Sequence, residues 1–396
     1  MIYLLFFVGI VGLATSTLYA FLAMLGSLRF ATQRRRASAG SFHPPATLFK
    51  PLHGSEPDLE AHLDSFFQQD YPEYEILFCS RRQDDAGLAI ARKVAARYPQ
   101  IPVKFLVSGE PHYPNAKVWS LELMHQAAAH DIFVISDSDV SVTPQYLREV
   151  IASFANEQVG LVTCLYRGVG KGSLWSRLEG VGMSVEMSAG VLVARMFEGM
   201  KFALGPTMAV RRSCVDQFGG FRVLGFYHAD DFMLGRLVAA NGKLVVLSSH
   251  VVDHYILNTS FRSSMQHQIR WMKSTRFSRP KGHLGTALTF GMPYTVLAAG
   301  GALLWNRPLW AALFFCWGWL TRFVLALVVG GAVVHDSDTL KSALLYPLRD
   351  VSGFLFWAAS YLNRGVRWRG QTFLLLEDGV MRTDSVESKS EALLTT

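Results

Sequence analysis

The sequence predicts an α/β protein with a mostly parallel sheet, joined to a membrane at both ends of the chain. Strand-like runs alternate with helical patterns of about a dozen residues between positions 46 and 164, the pattern of a parallel sheet covered by helices. Residues 2–27 carry no charge and are long enough to cross a bilayer. From Leu284 onward the chain turns apolar again over 284–305, 308–334 and 344–362.

Taken in order, 46–49 reads as a first strand, followed by a helix over 57–69 with Leu59, Leu63, Phe66 and Phe67 on one face. A strand over 74–79 ends in Arg81-Arg-Gln-Asp-Asp85, and a helix over 86–98 follows. Next come a strand over 103–107, a loop from Gly109 to Lys117, and a helix over 118–129. The apolar run 132–135 stops at Asp137-Ser-Asp139, two carboxylates where open parallel sheets bind their ligands. Such oxygen ligands suit Mg²⁺ or Mn²⁺ shared with nucleotide phosphates. A second Asp-x-Asp, Asp336-Ser-Asp338, has no strand before it and reads as a solvated loop. A helix near Pro144 and a strand over 159–164 follow. The stretch 172–205 is Met-rich and weakly amphipathic, with Trp175, Met187, Val191 and Met196 either in a core helix or on a surface touching lipid. Asp230 and Asp231 open a helix, where carboxylates are ordinary caps. Finally, Met265-Gln-His-Gln-Ile-Arg-Trp271 places Arg270, Trp271 and two glutamines on about two helical turns.

Composition restricts the setting. With 50% hydrophobic and 17% charged residues, the 396-residue chain is too apolar for a wholly soluble protein. Arg29, Arg34, Arg35 and Arg36 follow the first apolar stretch; a cleaved signal peptide has its basic region first. The positive-inside rule therefore puts the amino terminus outside and the following domain in the cytoplasm. Arg322 lies inside one later segment, and Arg349 with Asp350 inside another, where charges face partners and an Arg322–Asp350 pair is expected. Three full crossings would leave Arg364, Arg367 and Arg369 outside, so 344–362 is expected to be re-entrant or interfacial. The four scattered cysteines read as reduced core residues. A net charge of +7 suits an anionic membrane surface, and no basic stripe interleaved with aromatics suggests nucleic acid. The expected division is an anchor over 1–28, a basic linker over 29–45, an α/β domain over 46–282, membrane helices over 283–363, and a tail over 364–396 whose last dozen residues are disordered.

The series Asp85, Asp137-Ser-Asp139, Asp231 and Gln-His-Gln-Ile-Arg270-Trp271 resembles membrane glycosyltransferases of the GT-A fold, whose pattern is Asp, Asp-x-Asp, Asp and (Q/R)xxRW. Phe49-Lys-Pro-Leu-His-Gly-Ser-Glu-Pro-Asp-Leu59 and Ser65-Phe-Phe-Gln-Gln-Asp-Tyr-Pro72 look like the opening of the ceramide glucosyltransferases. Bacterial relatives associated with hopanoid lipids, which transfer N-acetylglucosamine, share that likeness, and it runs from about Thr47 to Lys273. One departure is His267, three residues before Arg270, where the pattern has Gln or Arg. The resemblance implies a Rossmann-like catalytic domain at a bacterial inner membrane, with a UDP-sugar donor and a membrane lipid acceptor. It implies Asp231 as base, Asp139 as metal ligand for Mg²⁺ or Mn²⁺, and Asp85 and Asp137 as donor-binding residues. Arg270, Trp271, Lys117, Gln268 and His267 join them on the donor, and Trp175, Met187, Val191 and Met196 mark the acceptor region. Two rival expectations are a processive polysaccharide synthase, which needs more helices to thread a polymer, and a membrane transporter or scaffold that only binds nucleotide.

Overall fold

A computed structural model describes residues 2–36, 42–368 and 371–383. Helix α1 (Ile2–Arg36) is followed by β1 (Ala46–Pro51), α2 (Leu59–Phe67), β2 (Tyr74–Ser80), α3 (Ala86–Ala95), β3 (Val103–Val107), α4 (Ala116–Ala127) and β4 (Ile132–Ile135). This is the alternation expected from the sequence, with boundaries shifted by a few residues. Then come β5 (Val140–Ser141), α5 (Tyr146–Ile151), β6 (Val159–Gly170), α6 (Leu174–Val181), α7 (Ser188–Glu198), β7 (Met208–Arg211), α8 (Arg212–Gln217), α9 (Asp230–Ala240) and β8 (Leu244–Ile256). The chain ends with α10 (Phe261–Ser278), α11 (Pro280–Thr286), α12 (Met292–Leu304), α13 (Pro308–Val329), α14 (Thr339–Ala359), β9 (Gly365–Trp368), β10 (Gln371–Leu375) and β11 (Met381–Thr383).

The main sheet has the order β3-β2-β1-β4-β7-β6-β8-β5. β1 pairs in parallel with β2 and β4, so the chain leaves all three strands along one edge. Every residue of β1, β2 and β4 is buried, as strands covered on both faces must be. Phe49 and Phe133 stack across them at 4.8 Å. Local caps set where the helices begin: the Asp85 side chain accepts the Gly87 and Leu88 N–H groups of α3, and the Asn115 side chain accepts those of Lys117 and Val118 in α4. Ser173 and Ser260 form capping boxes with Ser176 and Ser263 that open α6 and α10.

Three strands of the main sheet, β5, β7 and β8, escape the sequence reading. β7 runs antiparallel between β4 and β6, and β8 lies parallel to β6. The second half of β8 alternates buried and half-buried positions, a period-2 signal that its apolar residues carry in the sequence. The Met-rich stretch is one helix over 174–198, with a π-helical turn (Gly182–Met187) joining α6 to α7.

Two membrane-length helices are the first helix and 308–334; among the described residues the Met-rich helix also meets that test by length and composition, although most of it is buried. The apolar stretch 284–305 is not one straight segment: two helices, Pro280–Thr289 and Met292–Leu304, meet at 45°. Asp350 receives the Gly291 and Met292 N–H groups freed at this bend, at 2.8 and 2.7 Å. The fully buried Arg322 lies 3.5 Å from Asp350 and donates to the carbonyls of Thr289 and Ser16. The expected Arg322–Asp350 pair is thus present, and it ties α1, α12, α13 and α14 together.

The chain ends reveal the orientation of these helices. Tyr3 and Phe6 pack on Trp305 in the turn between α12 and α13. At the other end, the His335 carbonyl after α13 accepts from Arg167 of β6 at 2.8 Å. Arg276 of α10 donates to the Ser360 carbonyl at the end of α14. Beyond α14, where the sequence suggests a tail, residues 365–383 include the antiparallel sheet β11-β10-β9. The stretch expected to be disordered, the last dozen residues, lies outside the described residues. This small sheet holds the loop before α9: Met381 N–H donates to the Phe226 carbonyl at 2.7 Å, and His228 N–H to the Gly379 carbonyl at 3.0 Å.

Candidate active site

The edge where β1, β2 and β4 end gathers charge. Asp137 Oδ1 lies 2.7 Å from Lys117 Nζ in the first turn of α4, and Lys117 is also 3.6 Å from Asp230 Oδ2. From the end of β1, Lys50 donates to the Asp137 carbonyl at 2.6 Å, with its ammonium 3.7 Å from the Phe66 ring centroid. Asp231 Oδ2 accepts the Gly205 N–H and Oδ1 the Phe232 N–H, both at 2.8 Å. A Cβ on Gly205 would sit 3.2 Å from Asp231 Oδ2 and 3.6 Å from Asp137 Oδ2, so this glycine keeps open the space that both carboxylates face. Asp139 Oδ2 is 3.1 Å from His254 Nε2 of β8.

Burial and neighbouring charge set the protonation of this cluster. Burial, then the adjacent Asp230, push the Asp231 carboxyl up to about 6, against the pull of Lys117. Burial pulls Lys50 down to about 7, with Asp137 and Asp139 opposing it. Burial would also lower Lys117, but Asp137 and Asp230 hold it above its usual range. For Asp139, burial acts upward and is outweighed by His254, leaving the carboxyl below its usual range. His254 moves up in return, its burial outweighed by Asp139.

Helix α10 supplies the facing wall. The His267 and Trp271 rings are 4.5 Å apart, and Trp271 lies 6.4 Å from His254. Burial, then the positive charge of Arg270, push His228, in the loop leading to Asp230, down to about 3. Asp85 sits at the end of β2, where its carboxylate caps α3 and accepts the Gly54 N–H at 3.0 Å. Gln268 donates to Ser264 at 3.0 Å and lines a cleft with Trp175, Leu178, Phe261, Met265 and Phe356. Trp175 stands beside Phe261 at 4.8 Å, half-exposed. The other acceptor candidates are packed inward: Val191 is in the main core, Met187 packs against it, and Met196 reaches α1 at Gly26.

The structure thus brings together Asp137, Asp139, Asp231 and Lys117, with His267, Arg270 and Trp271 on α10. Sequence reasoning missed Lys50 and His254. Lys50 stands at the end of an apolar strand, a position that could have drawn attention; His254 follows Val251-Val-Asp in an unrecognised strand.

As to a metal, no three His, Cys, Asp or Glu side chains among the described residues gather as a closed cage. Asp139 Oδ1 is nevertheless a buried acceptor without a hydrogen-bond partner, with His254 beside its other oxygen. That fits a divalent ion held by one or two carboxylates and completed by substrate phosphates.

The fold and the gathered carboxylates define a nucleotide-sugar glycosyltransferase of the GT-A fold. The chain belongs to glycosyl transferase family 21, whose model matches residues 4–381. It is 25% identical to ceramide glucosyltransferase 1 of Caenorhabditis elegans over 359 residues, 87% of this chain and 75% of that protein. A ceramide glucosyltransferase of Komagataella phaffii is 30% identical over 181 residues, 43% of this chain and 35% of its own length. In fold the chain is similar to the mannosyltransferase PcManGT of Pyrobaculum calidifontis, solved with GDP-Man and Mn²⁺. That likeness has a TM-score of 0.50 at 17% identity and covers 89% of this chain and 99% of the other.

Proposed function

We propose that this protein transfers a single glucose or N-acetylglucosamine from a UDP-sugar to the hydroxyl of a membrane lipid, of the ceramide/sphingoid or hopanoid type, with inversion at the anomeric carbon. The observation that carries the reading is Asp231: a carboxylate on the open space kept by Gly205, its pKa pushed up to about 6, suits a general base working near neutral pH. A lipid hydroxyl is a weak nucleophile, and Asp231 takes its proton as the oxygen attacks the sugar opposite the diphosphate. Lys117 holds Asp137 in place, and Asp137 and Asp85 orient the nucleotide. Asp139, with His254 beside it, would hold Mg²⁺ or Mn²⁺, whose chemistry is to neutralise charge on the departing diphosphate. Arg270 adds a fixed positive charge on the same side. His267 and Trp271 wall the site against water, and Trp175 with Phe261 marks the side from which a lipid arrives.

The test is mass spectrometry of lipid products formed from host extract with a panel of UDP-sugars. One added hexose or N-acetylhexosamine per lipid is expected. Polymeric products would favour a processive synthase instead, and UDP-sugar binding without hydrolysis or transfer would favour a scaffold.

A further inference from the structure

Glu179 of α6 is only 1% exposed, yet it is a carboxylate, and a buried carboxylate is tolerated only where hydrogen bonds replace its water. Three side chains supply them. Ser264 Oγ lies 2.5 Å from Oε2, His267 Nδ1 lies 2.5 Å from Oε1, and Asn258 Nδ2 lies 3.0 and 3.3 Å from the two oxygens. The proton directions can be followed through this network. Gln268 donates to Ser264 Oγ at 3.0 Å, so the Ser264 proton goes to Glu179. Asn258 offers an amide N–H to the same carboxylate. Its 3.1 Å approach to His267 Nδ1 is that of two donors sharing Oε1. Nδ1 of His267 therefore carries its hydrogen and is committed to Glu179, and Nε2 is the ring nitrogen left to meet a ligand.

We infer that Glu179 is a positioning residue: it fixes the ring orientation and tautomer of His267, and through the 4.5 Å ring contact it fixes Trp271 in the wall of the donor site. Asn258 follows β8, the strand that carries His254, so one carboxylate ties α6, α10 and the end of β8 into a single frame. The inference rests on the reading that His267 and Trp271 wall the donor.

A four-way comparison tests it, using Glu179→Gln, His267→Phe, the double variant and Ser264→Ala in the full-length protein. Transfer rates are expressed per UDP-binding site. Each of the first two singles should lower kcat roughly ten- to hundred-fold with UDP affinity nearly kept, and the double should lose no more than the worse single, because Glu179 acts through His267. Ser264→Ala removes a donor but leaves the Glu179–His267 contact, and should stay within about three-fold of wild type. Losses that multiply in the double variant would overturn the inference, as would Glu179→Gln turning over normally. If Glu179→Gln does not fold, the remaining pair decides: Ser264→Ala falling as far as His267→Phe would reduce the network to packing glue. Hydrolysis of the UDP-sugar by water gives the same comparison without lipid, so a protein that hydrolyses but glycosylates no lipid sinks the acceptor reading alone.

Discussion

Asp231 owes its basicity to its surroundings: burial and Asp230 raise its pKa, and Lys117 limits the rise. Asp231→Asn should keep UDP affinity within a few-fold while lowering turnover by a factor on the order of a hundred to ten thousand, the usual share of a general base. Near-normal turnover would remove Asp231 from that role. The sign of the pH effect follows from the direction of the shift. A base must be ionised to act, so kcat/KM should hold above about pH 6 and fall about tenfold per unit below it, and a profile flat to pH 4.5 would contradict the assignment. Chelation gives a separate check. Excess EDTA should abolish activity and Asp139→Ala should behave the same way, while Asp338→Ala, whose carboxylate pairs with Lys341 on the surface, should change little. The sequence pointed to Asp137 and Asp139 because a strand end is a local signal, and to Asp231 only through the family resemblance, since a carboxylate at a helix start is otherwise an ordinary cap. Lys50, His254 and Glu179 were not legible, since each gains its meaning from a residue far along the chain, as His254 does from Asp139, 115 positions away.

Among the elements, the small carboxy-terminal sheet is the least expected. Its strands are three to five residues long, and its core is Val366, Phe373, Leu375 and Met381 packed with Phe277 and Trp368, too few apolar positions to stand out in a basic stretch. The sheet gains stability from where it docks, on α10 and on the loop that leads to Asp230 and Asp231. Ending the chain at Arg364 should therefore leave a membrane-inserted protein that still binds UDP, with transfer reduced at least about tenfold through a loosened base loop. Unchanged transfer would show that the loop holds its shape unaided. The first four strands were readable in the sequence because each is a short, mostly apolar run with punctuated ends, fully buried in β1, β2 and β4 and only partly covered in the edge strand β3. β7 is four residues long and depends on β4 and β6 for both its edges, so it had no independent signal.

Across the whole molecule, the contacts of the helix ends favour one topology. The start of α1 packs at the α12–α13 turn, whereas His335 and Ser360, flanking α14, both bond residues of the α/β domain. We therefore expect α1, α12 and α13 to cross the bilayer and α14 to lie along its cytoplasmic side, keeping the tail with the catalytic domain. An impermeant thiol reagent applied to intact cells should label Asn306→Cys but neither Asp338→Cys nor Arg364→Cys until the membrane is opened; external labelling at Arg364→Cys would reverse this reading. Arg322 adds a consequence in time. Its bond to the Ser16 carbonyl joins residues 306 apart, and its partner Asp350 is made 28 residues later than Arg322 itself. An arginine alone in lipid is costly, so the nascent chain must keep α1 close by, or hold α13 back from lipid, until translation has delivered α14. On this topology the helices mature as a group, completed from the cytoplasmic side of the bilayer by the last of them to be made.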